Sequence, residues 1–501
     1  MKSKRALSLL LASLMLFGST ACGGDDTIGG DETTASEETS APEVETDPAE
    51  TEFDRRSISD ELPEVTFEGK EFRILCQEGA WMDQYTYDEE LTGDSLNSAI
   101  WKRNEDVEKR FDTKLVAYSD GMETQDTFFQ FVMAQENMFE VADLMMYMSW
   151  TPMIYNMAVN WYDIPNINWE KPWWNKATND EATVKGKAYA ITGDLSLTSL
   201  TYMWIQAFNM ELMADWGYSS DDIYQLVFDG EWTIDKFIEI CSTIHADENG
   251  NSTPDKNDTF GYFTHTYSGT DPWVTAIDAR MLTKNDEGNL EVTLGTEKVY
   301  NTLAKLNTFF FSNEGCFHDE SDTMSNAPDF AHGKIAIYPA NFSSCLGSFA
   351  KLPFEYGVLP YPKYDTAQKN YVTGAIDQLS VYSLPVTLPL EDYEFVGIMM
   401  EALNAESYKT VYPAYFDGAL KGRYSTDENM SKVVDLIVEG RMFDLAFMYG
   451  QYMERLPYQF RYCFRDNDTD LASRLAANMS RMEEEIEDLM LYYETGEQVW
   501  Y

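Results

Sequence analysis

Between residues 71 and 147 the sequence alternates short apolar runs with helical periodicity, and this alternation restricts the fold more than any other feature. Residues 71–76 (Glu-Phe-Arg-Ile-Leu-Cys) follow a Gly-Lys turn and read as a strand. Gly93-Asp-Ser-Leu then opens a helix whose Leu96, Ile100, Val107 and Phe111 recur on one face. Residues 114–118 read as a second strand, a Phe-rich helix covers 128–131, and residues 141–147 read as a third strand. Strand, helix, strand, helix, strand implies a parallel sheet with helices on its faces. Ligands of such sheets bind beyond the carboxyl ends of the strands. The loops to follow are therefore 77–85 and 148–151, which carry Trp81 and Trp150.

The alternation continues. Residues 199–213 read as a strand running into a turn and a short helix, and 232–240 as an amphipathic helix with Thr233 as its N-cap. Residues 329–338 read as a helix end, a Gly turn and a strand, and 354–362 as a strand closed by prolines. Leu471, Leu475, Met482, Ile486 and Leu489 fall on one side of a long C-terminal helix. The 501 residues allow roughly three folding units, and 44% hydrophobic residues are ample for a large core.

The N-terminus is a different material. Lys2, Lys4 and Arg5 precede an apolar stretch over 6–17, the pattern of an export signal too short for a permanent membrane helix. Gly18-Ser-Thr-Ala-Cys22 resembles a lipobox, where the signal is cut and the cysteine takes diacylglycerol; Ser19 stands where Leu is usual. The expected division is a signal over 1–21 and a lipidated Cys22 opening an acidic tether over 22–64. Residues 25–64 hold 15 acidic residues against Arg55 and Arg56, with too little apolar surface to fold. No other stretch has the apolar length of a membrane span. The five remaining cysteines form no C-x-x-C and no zinc pattern, and read as buried free thiols.

The formal net charge is −50. The signal carries +3 and the tether −13, so the body itself carries −40. Such a field repels phosphate, which excludes nucleic acid and anionic lipid surfaces as partners; the membrane is reached through the lipid anchor only. The 14% aromatic content suits a surface that stacks on flat, weakly charged ligands, although most of it must be core.

Residues 247–258 (Asp-Glu-Asn-Gly-Asn-Ser-Thr-Pro-Asp-Lys-Asn-Asp) place oxygen side chains at loop positions 1, 3, 5, 9 and 12: Asp247, Asn249, Asn251, Asp255 and Asp258. With the Thr253 carbonyl at position 7, this spacing suits a structural Ca2+ ion that would brace a helix-to-strand loop. Gly250 at position 4, Ser252 at 6 and Asp at 12 depart from the EF-hand, and the plain alternative is a solvated Asn-Gly turn. Catalysis has little support. There are four histidines, with no H-E-x-x-H, no G-x-S-x-G and no phosphate-binding glycine loop. Among 86 acidic residues, paired carboxylates of the glycosidase kind arise by chance.

Several landmarks occur in a familiar order. They are the lipobox and tether, the Leu96–Phe111 helix with its Arg103-Asn104 and Val107-Glu108, and Phe208-Asn-Met-Glu-Leu212 followed by Trp232-Thr-Ile-Asp235. Phe330-Ala-His-Gly-Lys-Ile-Ala-Ile337 and the Tyr356-Gly-Val-Leu-Pro-Tyr-Pro strand complete them. Together they resemble the extracellular solute-binding lipoproteins of the sugar-binding branch of bacterial ABC uptake systems (family 1), over most of residues 65–501. The resemblance implies an α/β, two-lobed, type II periplasmic-binding-protein-like fold with a hinge between the lobes and a helical C-terminus. Lobe 1 would comprise 65–197 and 374–425, and lobe 2 would comprise 198–373 and 426–501. It further implies a monomer on the extracellular face of the cell membrane that binds a carbohydrate, an oligosaccharide in this reading, and hands it to ABC permease subunits without catalysis. The rivals are a cell-surface glycoside hydrolase and a glycan-binding lipoprotein without transport; a peptide ligand stays open.

Sugars present an apolar ring face fringed with hydroxyls, matched by aromatic platforms with amides and carboxylates. Where the family keeps its cleft loops, the candidates are Glu78, Trp81, Trp150, Asp194, Thr198, Tyr267, Trp273, Asn341, Phe342 and Asp377. Core packing is the competing role for each aromatic, so about half of the set is expected to reach the cleft. Trp173 and Trp174 are expected to pack near the hinge.

Overall fold

Among the described residues, twelve strands form two principal sheets and one small hairpin. The structure, a computed structural model, describes residues 54–86, 94–265, 269–319, 330–416 and 428–496. The signal, Cys22 and Tyr267 lie outside the described residues.

The first sheet is built from β1 (Lys70–Leu75), β2 (Thr113–Tyr118) and β3 (Val141–Met145). β1 is central, parallel to both neighbours, with Phe72 opposite Leu115 and Ile74 opposite Val141. The expected parallel sheet is thus present. Asp94 caps the helix Ser95–Phe111 by accepting from Asn97 N, and a left-handed Asp112 ends it. The helix Thr124–Met133 carries the chain to β3.

The second sheet contains β4 (Trp204–Asn209), β5 (His245–Ala246) and β6 (Thr259–His265). β7 (Leu282–Lys284) and β8 (Leu290–Val292) make the separate hairpin. β9 (Cys316–Asp319), β10 (Ile335–Asn341) and β11 (Tyr356–Leu359) complete the second sheet. Its order is β11-β4-β10-β6, with β5 and β9 both on the far side of β6. β4 is antiparallel to β10 and β11, while β6 is parallel to β9 and β10. The chain then returns, and β12 (Ser380–Ser383) adds to the first sheet antiparallel to β3.

Strand alternation separates two cores. Phe72, Ile74, Val141 and Tyr382 face a layer with Val107, Phe111 and the buried stripe of the helix Tyr393–Glu406. Leu75, Ala142 and Leu144 face Phe128 and Val132, in a cluster that runs on into the second sheet. Thr233 caps the helix Ile234–Thr243 as expected, accepting from Lys236 N. Phe237 of that helix meets Trp232, Tyr262, Trp273 and Phe309 at centroid distances of 4.9 to 6.0 Å. The C-terminal helix Leu471–Thr495 buries Leu471, Leu475, Met482 and Leu489. Its last turn packs Tyr492 and Tyr493 on Tyr189. Cys76, Cys241, Cys316, Cys345 and Cys463 are buried free thiols.

Two expectations need correction. The folded body starts before residue 65: the Asp60 carboxylate pairs with Arg110 and is held low by that hydrogen bond and charge despite burial. Ile58 and Leu62 pack on the first core, so the few apolar residues inside the acidic tract suffice to dock its end. The 247–258 loop joins β5 to β6 as an antiparallel hairpin, not a helix to a strand.

Trp273 was a ligand candidate, but it is fully buried among Phe237, Tyr262, Phe310 and Tyr361. Trp273→Ala is therefore expected to cost about 3–5 kcal/mol of stability, read from urea denaturation. Unchanged stability would contradict its place in the core.

Candidate functional site

Three segments cross between the sheets. Trp204 N donates to Gly374 O (3.0 Å) and Ile376 N to Tyr202 O (3.0 Å), which lays the outgoing and returning chains side by side. Thr373 N donates to Gly440 O (2.8 Å) and Met442 N to Thr373 O (2.9 Å), which adds the third.

A buried carboxylate anchors this crossing. Asp143 Oδ2, in the middle of β3, accepts from Gln84 Nε2 (2.7 Å), Tyr85 OH (2.5 Å) and Ser380 Oγ (3.0 Å). Gln84 Oε1 accepts from Thr198 N (3.3 Å), and Thr198 Oγ1 accepts from Ser380 N (2.8 Å). Burial pushes the Asp143 carboxyl up to about 7 against these hydrogen bonds.

Above this anchor, aromatic residues stand at the strand carboxyl ends. After β1, Trp81 Nε1 donates to Gln378 O (2.8 Å) and its ring meets Tyr202 edge-on at 6.1 Å. After β3, half-buried Trp150 stacks on Tyr452 at 5.7 Å and 15°, and its indole N–H has no hydrogen-bond partner. Glu78 is exposed on the first of these loops.

The polar end of the site spans the crossover and the second sheet. Tyr458 OH donates to Asp377 Oδ2 (2.5 Å). Burial raises the Asp377 carboxyl to about 6, opposed by that hydrogen bond. The Arg461 guanidinium lies 4.4 Å over the Tyr458 ring and grips Asp271 through Nε (2.8 Å) and Nη2. Burial lowers the His265 imidazole, at the end of β6, with Asp271 acting against it.

The expected residues therefore divide. Glu78 and Trp81 lie on the loop after β1, Trp150 follows β3, and Asp377 lies on the returning crossover. Asn341 is at the end of β10, but its Oδ1 caps the helix Phe342–Leu346, accepting from Ser344 N (3.2 Å) and Ser343 Oγ (2.5 Å). Phe342 is a correction: it is fully buried, edge-on to Phe416 at 6.3 Å, because the strand turns it into the helix layer. Thr198 is buried and spent on the hinge. Asp194 is a correction too. It is buried, pushed up to about 7 by burial, and its charged neighbours are Arg441 and Arg55, neither at a strand end. Trp173 and Trp174 are buried and donate to Glu401 (3.1 and 2.7 Å), packing as expected.

Sequence reasoning missed Tyr147, Tyr202, Asp271, Tyr452, Tyr458 and Arg461. The one available signal was the aromatic density of residues 447–464, interrupted by Gly450 and Pro457. A surface groove of about 1360 Å³ is lined by Lys363, Tyr364, Gln368 and Arg441. None of the twelve strands contributes to its wall, so the strand-end site is the better candidate for this class of sheet.

No protein-family model and no characterised protein sequence matches the chain. Its structure, however, is similar to solved ones. An ABC substrate-binding protein from Listeria monocytogenes in complex with cycloalternan matches with a TM-score of 0.53 at 13% identity, over 84% of this chain and 99% of that one. A cyclic α-maltosyl-1,6-maltose binding protein from Arthrobacter globiformis matches with a TM-score of 0.54 at 13% identity, over 84% and 99%. The maltose/maltodextrin-binding domain MalE from Bdellovibrio bacteriovorus, bound to maltotriose, matches with a TM-score of 0.52 at 12% identity, over 83% and 100%. The fold is that of a type II periplasmic binding protein.

The Asp143 anchor has a titration signature. A carboxyl raised from 3.8 to about 7 binds its proton more tightly folded than unfolded, so stability falls as pH rises through that window. Asp143→Asn cannot ionise. Its melting temperature relative to wild type is expected to improve between pH 4 and pH 7, read by a pH series of thermal melts. A pH-independent difference would show that Asp143 does not titrate there.

Proposed function

We propose that this protein is an extracellular, lipid-anchored receptor that captures an oligosaccharide for an ABC importer and performs no reaction on it. The supporting observation is the site itself: Trp81, Tyr202 and the Trp150–Tyr452 stack beside Asp377, Asp271 and Glu78, at the strand ends of a fold whose solved neighbours hold cycloalternan and maltotriose. Aromatic faces match sugar rings, and carboxylates accept from sugar hydroxyls. Cys22 takes the lipid and the acidic segment spaces the body from the membrane. The protein works as a monomer, and permease subunits read its ligand-bound form.

A thermal-shift screen of the mature chain against neutral oligosaccharides tests this. Ligand at a hundredfold excess over Kd stabilises by about 2.7 kcal/mol. The sugar is expected back intact, and Trp150→Ala is expected to weaken binding by tenfold or more. A cleaved sugar would make the protein a hydrolase, and no response to any sugar would defeat the carbohydrate reading.

The 247–258 loop supports a separate structural role for Ca2+. Asp247 gathers the N–H groups of Gly250, Asn251 and Ser252, while the Asn249 and Asn251 amides both reach Asp255 Oδ2 (3.0 and 2.9 Å). Four of the candidate side chains thus converge, and turning the two amides would present their oxygens to a cation. Asp258 accepts Glu248 N and Asp255 N, one on each oxygen, which leaves it lone pairs for the ion. Thr253 would add its carbonyl. Among the described residues no group of three or more His, Cys, Asp or Glu is clustered for a metal, so the site leans on the asparagines. Ca2+ is expected to raise the melting temperature of wild type and not of Asp255→Ala; equal responses would remove the site.

A further inference from the structure

We infer that the cleft selects its ligand by charge: it takes uncharged or amino-bearing sugars and rejects carboxylated or sulfated ones. This rests on the reading of the strand-end site as a sugar site, and it follows from how the charges around that site are spent. Glu78, Asp83 and Glu123 are exposed at the strand ends of the first sheet. Asp377 lies at the crossover, and Asp271 and Asp319 at the strand ends of the second sheet. These carboxylates make themselves felt across the site. Burial holds the Tyr147 hydroxyl above its usual range, with Glu123 and Asp377 adding to it; Tyr202 is raised likewise by burial, Asp143 and Asp83.

The Arg461 guanidinium acts on Tyr458, Asp377 and His265, and His318 acts on His265 as well. Arg461 is already paired. Its Nε and Nη2 hold both oxygens of Asp271, and Tyr458 covers one face of its guanidinium. A ligand carboxylate entering the site meets fixed negative charge and an Arg461 whose charge is already paired with Asp271. A neutral sugar brings hydroxyl donors to acceptor-only groups, and an ammonium gains Coulomb energy as well.

The test uses the neutral oligosaccharide with the largest thermal shift, and the same sugar with its primary hydroxyls oxidised to carboxylates. Both are titrated calorimetrically into the mature protein at low and high salt. The oxidised sugar is expected to bind about tenfold more weakly or worse at low salt, with the gap narrowing at high salt as charges are screened. Loss of a hydroxyl contact alone would leave a gap that salt does not change. Asp271→Asn frees Arg461 and is expected to recover about tenfold for the oxidised sugar only. Asp377→Asn, which removes one charge, is expected to act in the same direction and serves if the first variant does not fold. Equal or tighter binding of the oxidised sugar by wild type, or a salt-independent gap, overturns the inference and leaves the carbohydrate reading standing. If no sugar of any charge binds, both fall together.

Discussion

The buried Asp143 carboxylate is the interaction on which the rest depends, because one oxygen organises three separate stretches of chain. Gln84 and Tyr85 belong to the loop after β1, Ser380 opens β12, and Gln84 passes the connection on to Thr198 at the outgoing crossover. A carboxylate is costly to bury, and hydrogen bonds to a charged group return about 1.5–3 kcal/mol each. The loop that carries Trp81 is gripped from behind as well. Arg103 Nη2 donates to Gln84 O and Asn104 Nδ2 to Tyr85 O, both at 2.8 Å, from the helix Ser95–Phe111. Polar groups under the site thus help to set the position of Trp81 against Tyr202.

The opposite wall is held by strain and its compensation. Met453, Glu454 and Arg455 are three successive non-glycine residues with positive φ, a conformation costing roughly 1–2 kcal/mol per residue. They sit between Tyr452, which stacks on Trp150, and Tyr458, which donates to Asp377. Glu485 of the C-terminal helix accepts from Glu454 N (3.0 Å), and Gln459 Nε2 donates to Glu454 O (2.6 Å). The long helix at the end of the chain therefore reaches this turn through Glu485 and through Arg481, which pairs with the Glu454 carboxylate (2.7 Å). It fixes the turn that spaces two aromatic residues across the groove.

These two arrangements explain what could be read from the sequence and what could not. The alternation over 71–147, the Thr233 cap and the apolar stripe of the last helix each depend on near neighbours in the chain, and each appears in the structure where the pattern put it. The site depends on distant ones. Trp150 and Trp273 both follow strands; one turns toward Tyr452 and the other into a cluster of four aromatic rings. Nothing local separates them, because the difference lies in which layer the next element packs against. Asp194 and Asp377 are both crossover acids, yet one faces Arg441 and Arg55 while the other meets Tyr458. The left-handed turn at 453–455 has no glycine to announce it, so the aromatic density around it does not reveal how the segment presents Tyr458 and Arg461.

On the proposed reading, the same charges bear on closure. Bringing the two sheets together around the site would desolvate Asp377, Glu78 and their neighbours, and a buried carboxylate left without donors is expensive. Tyr458 already supplies one donor to Asp377, and Arg461 satisfies Asp271; the exposed carboxylates have water in that role while the site is open. A sugar carries the missing hydroxyl donors in with it, and its ring face covers Trp81 or Trp150 as water leaves. The free energy of closure then depends on the ligand's donors being present, so an empty cleft is held open by its own carboxylates and a filled one is not.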